Sequence, residues 1–265
     1  MIKAYYCNSS NYGDTLTPYL LKQFWNLDIT HTDDVTQADL IGIGSILENC
    51  TKITQPTAIW GSGFMRIGKP ITPPPQATFL AVRGNLSKNR IPNFDGPVGD
   101  PGLLVSKIIP SPTEKVYHIG FIPHYIDWYD DLTKYIKSLP NIHYINVAQS
   151  PETFILEVTK CNYILSSSLH GLITADSFQI PNLHVILSDK VWGNNYKFQD
   201  YYSAFNRIHK FLDIRHFINR FPNFTAKHLV HHINSTYRPI PSLAQIQNNL
   251  TRSFEQYFIK KEANV

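Results

Sequence analysis

Short apolar runs separated by polar turns recur along the whole chain. Residues 2–7, 39–43, 57–61 and 77–82 predict strands, and residues 15–25 a helix. Pro18 falls in the first turn of that helix, where its missing N–H is harmless, and Asp14 or Thr15 can cap the exposed amides. Strand, loop and helix in this rhythm predict a parallel sheet flanked by helices.

Pro110-Ser-Pro-Thr113 interrupts the pattern with two prolines and reads as an interdomain linker. The expected domains are therefore 1–110 and 114–265. After the break the rhythm restarts: a strand at 116–122, a helix at 127–138, a strand at 142–147, a helix opened by Ser150-Pro151-Glu152, and a strand at 162–166. A helix at 169–179, stopped before Pro181, and a strand at 183–187 follow. The predicted fold class is α/β, with two Rossmann-like parallel-sheet domains facing a cleft at the carboxyl ends of their strands. From Tyr201 onward aromatic and apolar residues (Phe205, Ile208, Phe211, Leu212, Phe217, Phe221) interleave with Arg207, Lys210, Arg215 and Arg220. This segment reads either as a helix packed on the second domain or as a membrane-surface face, and both readings stay open.

Composition narrows the class. With 43% hydrophobic and 17% charged residues in 265, the chain is globular. Its longest apolar runs fall far short of the ~20 residues that span a bilayer, and the first residues lack a secretory leader, so a cytoplasmic location is expected. A net charge of +4 is mild and fits an anionic donor, acceptor or membrane surface as well as nucleic acid, so charge alone identifies no partner; nucleic acid is not expected as one. Cys7, Cys50 and Cys161 lack paired spacing and read as buried thiols. His228, His231 and His232 have helical spacing without a carboxylate partner, so no metal site is expected.

The strongest chemical signal is Ser166-Ser167-Ser168-Leu169-His170-Gly171, where an apolar strand ends in three hydroxyls just before a helix. Free amides and the positive helix end favour an anion there, the hydroxyls add donors, and Gly171 permits close approach. His170 beside that anion reads as a proton donor or phosphate partner. Asn11-Tyr12-Gly13-Asp14 occupies the equivalent turn of the first half, with Asp14 a base or a cap; Gly42-Ile43-Gly44-Ser45 and Trp60-Gly-Ser-Gly63 are further glycine turns. Arg83 ends the apolar strand 79–82, where it could fork onto a carboxylate or phosphate. His124 and Lys197 are cleft candidates.

Taken in order, Asn11–Asp14, Ala38–Ser45, Trp60–Gly63, Arg83-Gly84, Gly99-Asp-Pro-Gly102, Gly120–His124 and Ser166–Gly171 resemble the polysaccharide pyruvyltransferase family, over about residues 8–205. The resemblance implies a fold similar to the GT-B glycosyltransferases, phosphoenolpyruvate as co-substrate without a cofactor or required metal, and a glycan hydroxyl as acceptor. On that reading the acceptor is a lipid-linked oligosaccharide met at the inner face of the cytoplasmic membrane. His170 matches the family's histidine and, with Asp14, is the expected catalytic pair; Arg83, Ser166, Ser167, Ser168, Gly171, Lys197 and His124 are expected on the donor, Asn11, Gly13 and Gly44 on the acceptor. Many members carry arginine two residues before that histidine, where this chain has Ser168. The competing readings are a GT-B glycosyltransferase using a nucleotide sugar and a non-catalytic glycan- or phosphate-binding module.

Overall fold

The structure is a computed structural model and describes residues 1–112 and 114–259; Thr113, the last residue of the expected linker, and residues 260–265 lie outside them. Each strand read from the apolar pattern is present, in one of two parallel sheets. The first holds β1 (Ile2–Tyr5), β2 (Ile29–His31), β3 (Leu40–Ile41), β4 (Thr57–Trp60) and β5 (Ala77–Ala81) in the order β2-β1-β3-β4-β5, with α1 (Leu16–Trp25) and the short α2 (Asn85–Lys88). The second holds β6 (Tyr117–Ile122), β7 (Ile142–Tyr144), β8 (Cys161–Ser166), β9 (Asn182–Ile186) and β10 (Phe211–Asp213) in the order β10-β9-β8-β6-β7. Around it lie α3 (Asp131–Ser138), α4 (Pro151–Thr159), α5 (Leu169–Ser177), α6 (Tyr196–Ser203), α7 (Ile214–Arg220) and α8 (Ala226–Thr236), and α9 (Leu243–Phe254) follows.

Numbered within its own half, each sheet has the order 2-1-3-4-5. The connections reverse direction between the first and third strands of each half, and such a switch point leaves a crevice at the carboxyl ends of the strands. Two crevices result, beyond β1/β3 and beyond β6/β8.

The segment 205–221 departs from a single amphipathic helix. Asn206 takes a left-handed φ of 55°, and Phe211–Asp213 leaves the helical path to pair in parallel with His184–Ile186 as an edge strand. Asp213 then accepts the Arg215 N–H at 3.0 Å and starts α7. Three of the four basic residues are engaged within the chain: Arg215 with Asp189 and Asp213, Arg207 with the carbonyls of Arg238 and Pro239, and Arg220 over the Phe221 ring at 5.6 Å. Ile208, Phe211 and Phe221 remain exposed. Cys50 and Cys161 are buried as expected, but Cys7 is exposed, because it lies past the end of β1 in the loop that borders the cleft. His228, one of the three spaced histidines, closes a capping box on Thr225 at the start of α8. No helix among the described residues is long and apolar enough to cross a membrane.

One apolar cluster runs through both halves, joining Tyr12, Leu16, Ile43 and Trp60 to Ile122, Ile145, Phe154 and Ile164. Tyr12 is its pivot. Its ring stacks on Phe154 with centroids 3.9 Å apart, its N–H donates to the Val147 carbonyl at 2.6 Å, and its hydroxyl meets Thr174 Oγ1 at 2.8 Å. The C-terminal helix closes over the first sheet, where the Leu250 carbonyl accepts the Trp60 Nε1–H and Phe254 stacks on Trp25.

A polar link also joins the halves. Asp200 on α6 accepts from Arg83 Nε at 3.0 Å, from the Ser87 N–H at 2.7 Å and from the Ser87 hydroxyl at 2.6 Å, and both charged side chains are fully buried. Gly84 permits the approach: a Cβ there would collide with the Asp200 carbonyl. Removing one member of such a pair strands the other charge, at a cost of about 3–5 kcal/mol, whereas replacing both by apolar residues is often neutral. We predict that Asp200→Asn lowers the unfolding free energy measured by urea denaturation by that amount, and that Arg83→Met/Asp200→Leu recovers most of it. A loss below about 1 kcal/mol in the single variant would remove the pair from any structural role.

Candidate active site

The two switch-point crevices open toward each other and form one cleft of about 170 Å³. The loop after β1 contributes Cys7, Asn11 and Asp14, and the loop after β3 contributes Gly44, Ser45 and Ile46. From the second half come His124 and Tyr125 after β6, Ser168, Leu169 and His170 after β8, and Lys197 from α6; Met65 completes the wall. The first turn of α5 has no side-chain cap, so its amides and the positive helix end remain available on the cleft side.

His170 is held from several directions. Its ring lies against Gly13, where a Cβ would occupy the position of the imidazole, so the glycine expected at an acceptor turn serves first to seat the histidine. Its carbonyl accepts from the Thr174 hydroxyl at 2.8 Å, and Thr174 in turn meets Tyr12, so the central contact of the fold also fixes this turn of α5. Nε2 lies 3.7 Å from Oδ2 of Asp100, a fully buried carboxylate of the first half whose Oδ1 accepts the Gly102 N–H at 2.8 Å. Among the described residues neither Nε2 nor Oδ2 has a hydrogen-bond partner. Asp100 belongs to the Gly99–Gly102 motif but was not expected at the site, because an Asp-Pro-Gly sequence reads as a turn cap.

Lys197 is 8% exposed, and among the described residues no hydrogen bond or ion pair engages its ammonium; the Phe198 ring is 5.4 Å away. Burial, with Arg83 adding to it, pushes its pKa down to about 8, against the pull of Asp14 and Asp127. Asp14 does not cap α1, whose N-cap is Thr15 with no side-chain bond. Its carboxylate faces the cleft and accepts from the Ser9 hydroxyl at 2.5 Å, with its pKa raised by burial and lowered in part by Ser9, Asn11 and Lys197. Burial and nearby cations push His170 and His124 down to about 3, so both are neutral in the empty cleft. Nδ1 of His124 accepts the Ile126 N–H at 3.3 Å.

Other expected site residues lie behind this surface. Of the three serines only Ser168 lines the cleft. Ser166 donates to the carbonyls of Ile122 and Ser168, and Ser167 donates to Asp127 Oδ2 while accepting the His124 N–H. These two hydroxyls build the turn and are not free for a donor. Gly171 faces the sheet, where a Cβ would strike Ser166 Oγ and Ile122, so its role is close helix–strand packing and not approach to a ligand. Arg83 does not offer a free fork. Its guanidinium is spent on Asp200, the Phe64 carbonyl at 2.7 Å and Ser45 Oγ at 2.6 Å, and it reaches the cleft only through Ser45. Gly44, at a φ of 136°, lines the wall and accepts the Gly63 N–H.

The chain is 27% identical over 210 residues to the succinoglycan biosynthesis protein ExoV of Rhizobium meliloti (strain 1021), covering 76% of this chain and 64% of that protein. It is 33% identical over 122 residues to the uncharacterized protein L143 of Acanthamoeba polyphaga mimivirus, covering 41% and 39%. The chain thus spans less than two thirds of the length of these relatives. A crystal structure of a functionally uncharacterized protein from Klebsiella pneumoniae subsp. pneumoniae NTUH-K2044 superposes with a TM-score of 0.45 at 16% identity, covering 80% of this chain and 92% of that one. Residues 5–189, which include every cleft residue except Lys197, match the polysaccharide pyruvyl transferase family model, and the chain belongs to that family.

Proposed function

We propose that the protein transfers the enolpyruvyl group of phosphoenolpyruvate to a sugar of an exopolysaccharide or cell-surface glycan precursor, forming a cyclic pyruvate ketal. The observation that carries this reading is the convergence of an unpaired, nearly buried ammonium, Lys197, and the uncapped start of α5 on a cleft that also holds His170 and Asp14. That set suits a small, highly charged anion. At about 170 Å³ the cleft is smaller than the ~300–1,000 Å³ of sites for larger ligands, which favours phosphoenolpyruvate over a nucleotide sugar. Ser168 stands where many members carry arginine, and Lys197 supplies the cation that Ser168 cannot and that Arg83 does not offer.

In the proposed reaction His170 protonates the methylene carbon, and the double-bond electrons form the new C–H bond and leave an oxocarbenium-like centre. A sugar hydroxyl adds to that centre while Asp14 takes its proton. The bond to phosphate then breaks, phosphate leaving with the electron pair, and a second hydroxyl closes the ketal. The two hydroxyl protons replace one on the methyl carbon and one on phosphate, so the scheme balances without a cofactor or metal. Lys197, His124, Ser168 and the α5 amides hold the donor; Asn11 and Gly44 border the acceptor side. A lipid-linked acceptor would bring the protein to the inner face of the cytoplasmic membrane. Exposed Ile208, Phe211 and Phe221 with Lys210 and Arg220 support peripheral contact there.

Millimolar phosphoenolpyruvate is expected to raise the melting temperature, since a ligand of the folded state adds RT ln(1 + [L]/Kd). The sign of its pH dependence follows from Lys197. Below pH about 8 the ammonium is present in the empty cleft; above it, binding must take up a proton. Affinity should therefore fall as pH rises through about 8, by up to tenfold per unit, and Lys197→Gln should weaken binding and flatten this slope. Nucleotide sugar, but not phosphoenolpyruvate, shifting the melting temperature would favour glycosyl transfer instead.

His170→Gln keeps a hydrogen-bond donor but cannot shuttle a proton, so it should fold normally and lose about 10²–10⁴ in single-turnover transfer at saturating donor. Near-normal transfer would leave Asp14 as the acid. Membrane contact is tested separately: Lys210→Gln/Arg220→Gln should reduce co-sedimentation with anionic liposomes at low salt, each charge being worth ~1 kcal/mol. Unchanged co-sedimentation would count against this surface.

A further inference from the structure

Two buried polar atoms without hydrogen-bond partners face each other across the halves of the molecule: Nε2 of His170, on α5, and Oδ2 of Asp100, from the turn after β5. Buried polar atoms left unpaired are rare and call for an explanation. Here the explanation is mutual, because each lies 3.7 Å from the other. Hydrogen bonds of catalytic pairs are often long in the empty enzyme and tighten when substrate binds.

We propose that Asp100 is the positioning residue of His170, its carboxylate accepting the Nε2–H and thereby leaving Nδ1, above Gly13, as the nitrogen that exchanges a proton in the cleft. This rests on the reading of His170 as the proton carrier. The arrangement around both groups favours it. Asp100 Oδ1 is already fixed by the Gly102 N–H, so the carboxylate cannot rotate away. Gly13 admits the ring edge that carries Nδ1.

The charges facing the pair set its chemistry. Arg83, Lys197 and His124 all disfavour a proton on His170, Asp14 faces the same cleft, and Asp200 disfavours charge on Asp100 while Arg83 favours it. Burial, with a smaller push from the Asp100 charge, keeps the Tyr12 hydroxyl protonated. Burial pushes Asp100 up to about 7, so below that pH its acid proton faces the Nε2 of an Nδ1–H imidazole, and above it the carboxylate accepts the Nε2–H. A bound anion at Lys197 and α5 neutralises the cations that oppose imidazolium, and the proton moves to His170 without uptake from solvent. Once Nδ1 gives it to the donor carbon, the pair is left as carboxylate and neutral imidazole. The proton freed from the second hydroxyl goes to the departing phosphate, and the one taken by Asp14 restores the pair.

Asp100→Asn separates this role from simple capping, because asparagine caps as well as aspartate and keeps the bond to the Gly102 N–H. Its amide would instead donate to Nε2 and drive the ring to the Nδ1–H tautomer. The test is ¹⁵N NMR of ring-labelled protein, with the His170 signals assigned by their loss in His170→Gln. Above pH about 7, where Asp100 is a carboxylate, the wild type is expected as the Nε2–H tautomer and Asp100→Asn as the Nδ1–H tautomer, with His170 titrating lower in the variant when inorganic phosphate fills the cleft. In single turnover the variant should lose about 10²–10⁴, with the acid-side pKa of its rate profile displaced. A wild-type Nδ1–H tautomer above that pH, or the same tautomer and titration in both proteins, would overturn the proposal. The NMR arm stands even where pyruvyl transfer fails, and the wild-type spectrum alone decides the tautomer if the variant does not fold.

Discussion

A guanidinium and a carboxylate, both shut off from solvent and 3.0 Å apart, tie the second half of this protein to the first. Arg83 ends the first sheet and Asp200 sits on α6, so their contact fixes α6 against α2. Lys197 lies on the same helix three residues earlier, on the neighbouring face. The pair that clamps the halves therefore also sets the height of the cleft's free ammonium. Its influence is electrostatic as well, since the Arg83 charge helps to depress the pKa of both Lys197 and His170.

Burial is the second constraint. Asp14 and Asp100 are pushed up and Lys197 is pushed down by the same loss of water. Groups that ordinarily titrate far from neutrality are thereby brought closer to it, which suits proton transfer at physiological pH. Arg83 is paired with Asp200, but the Lys197 ammonium feels Asp14 and Asp127 only at a distance, and an anionic ligand would supply its direct partner. Affinity for the donor and readiness of the histidine then have one origin.

Much of this was legible in the sequence because it is local. Strands announce themselves by short apolar runs, Ser150-Pro151 opens a helix as written, and the turn before His170 lies where its strand-to-helix pattern puts it. What escaped is non-local. The strands β2 and β10 sit at the edges of their sheets and are defined by pairing with one neighbour each. Arg83 ends a strand in the expected place, but its partner is 117 residues away, and nothing nearby says the fork is already occupied. Ser166 and Ser167 follow the right strand, yet the pleat and the tightness of the turn send their hydroxyls inward.

The repeated topology gives the last step. Each sheet alone would offer a switch-point crevice, but neither alone holds the chemistry: His170, Lys197 and the open helix end belong to the second half, Asp14, Asp100 and Gly13 to the first. Their meeting depends on the dry contact of Tyr12 with Phe154 and Thr174 and on the buried ion pair, not on any loop that closes. Such an interface resists small relative motions, because packed cores shift between discrete arrangements and do not deform continuously. The same rigidity that keeps His170 3.7 Å from Asp100 in the empty cleft leaves only a short contraction for substrate to drive, so little binding energy is spent on assembling the site.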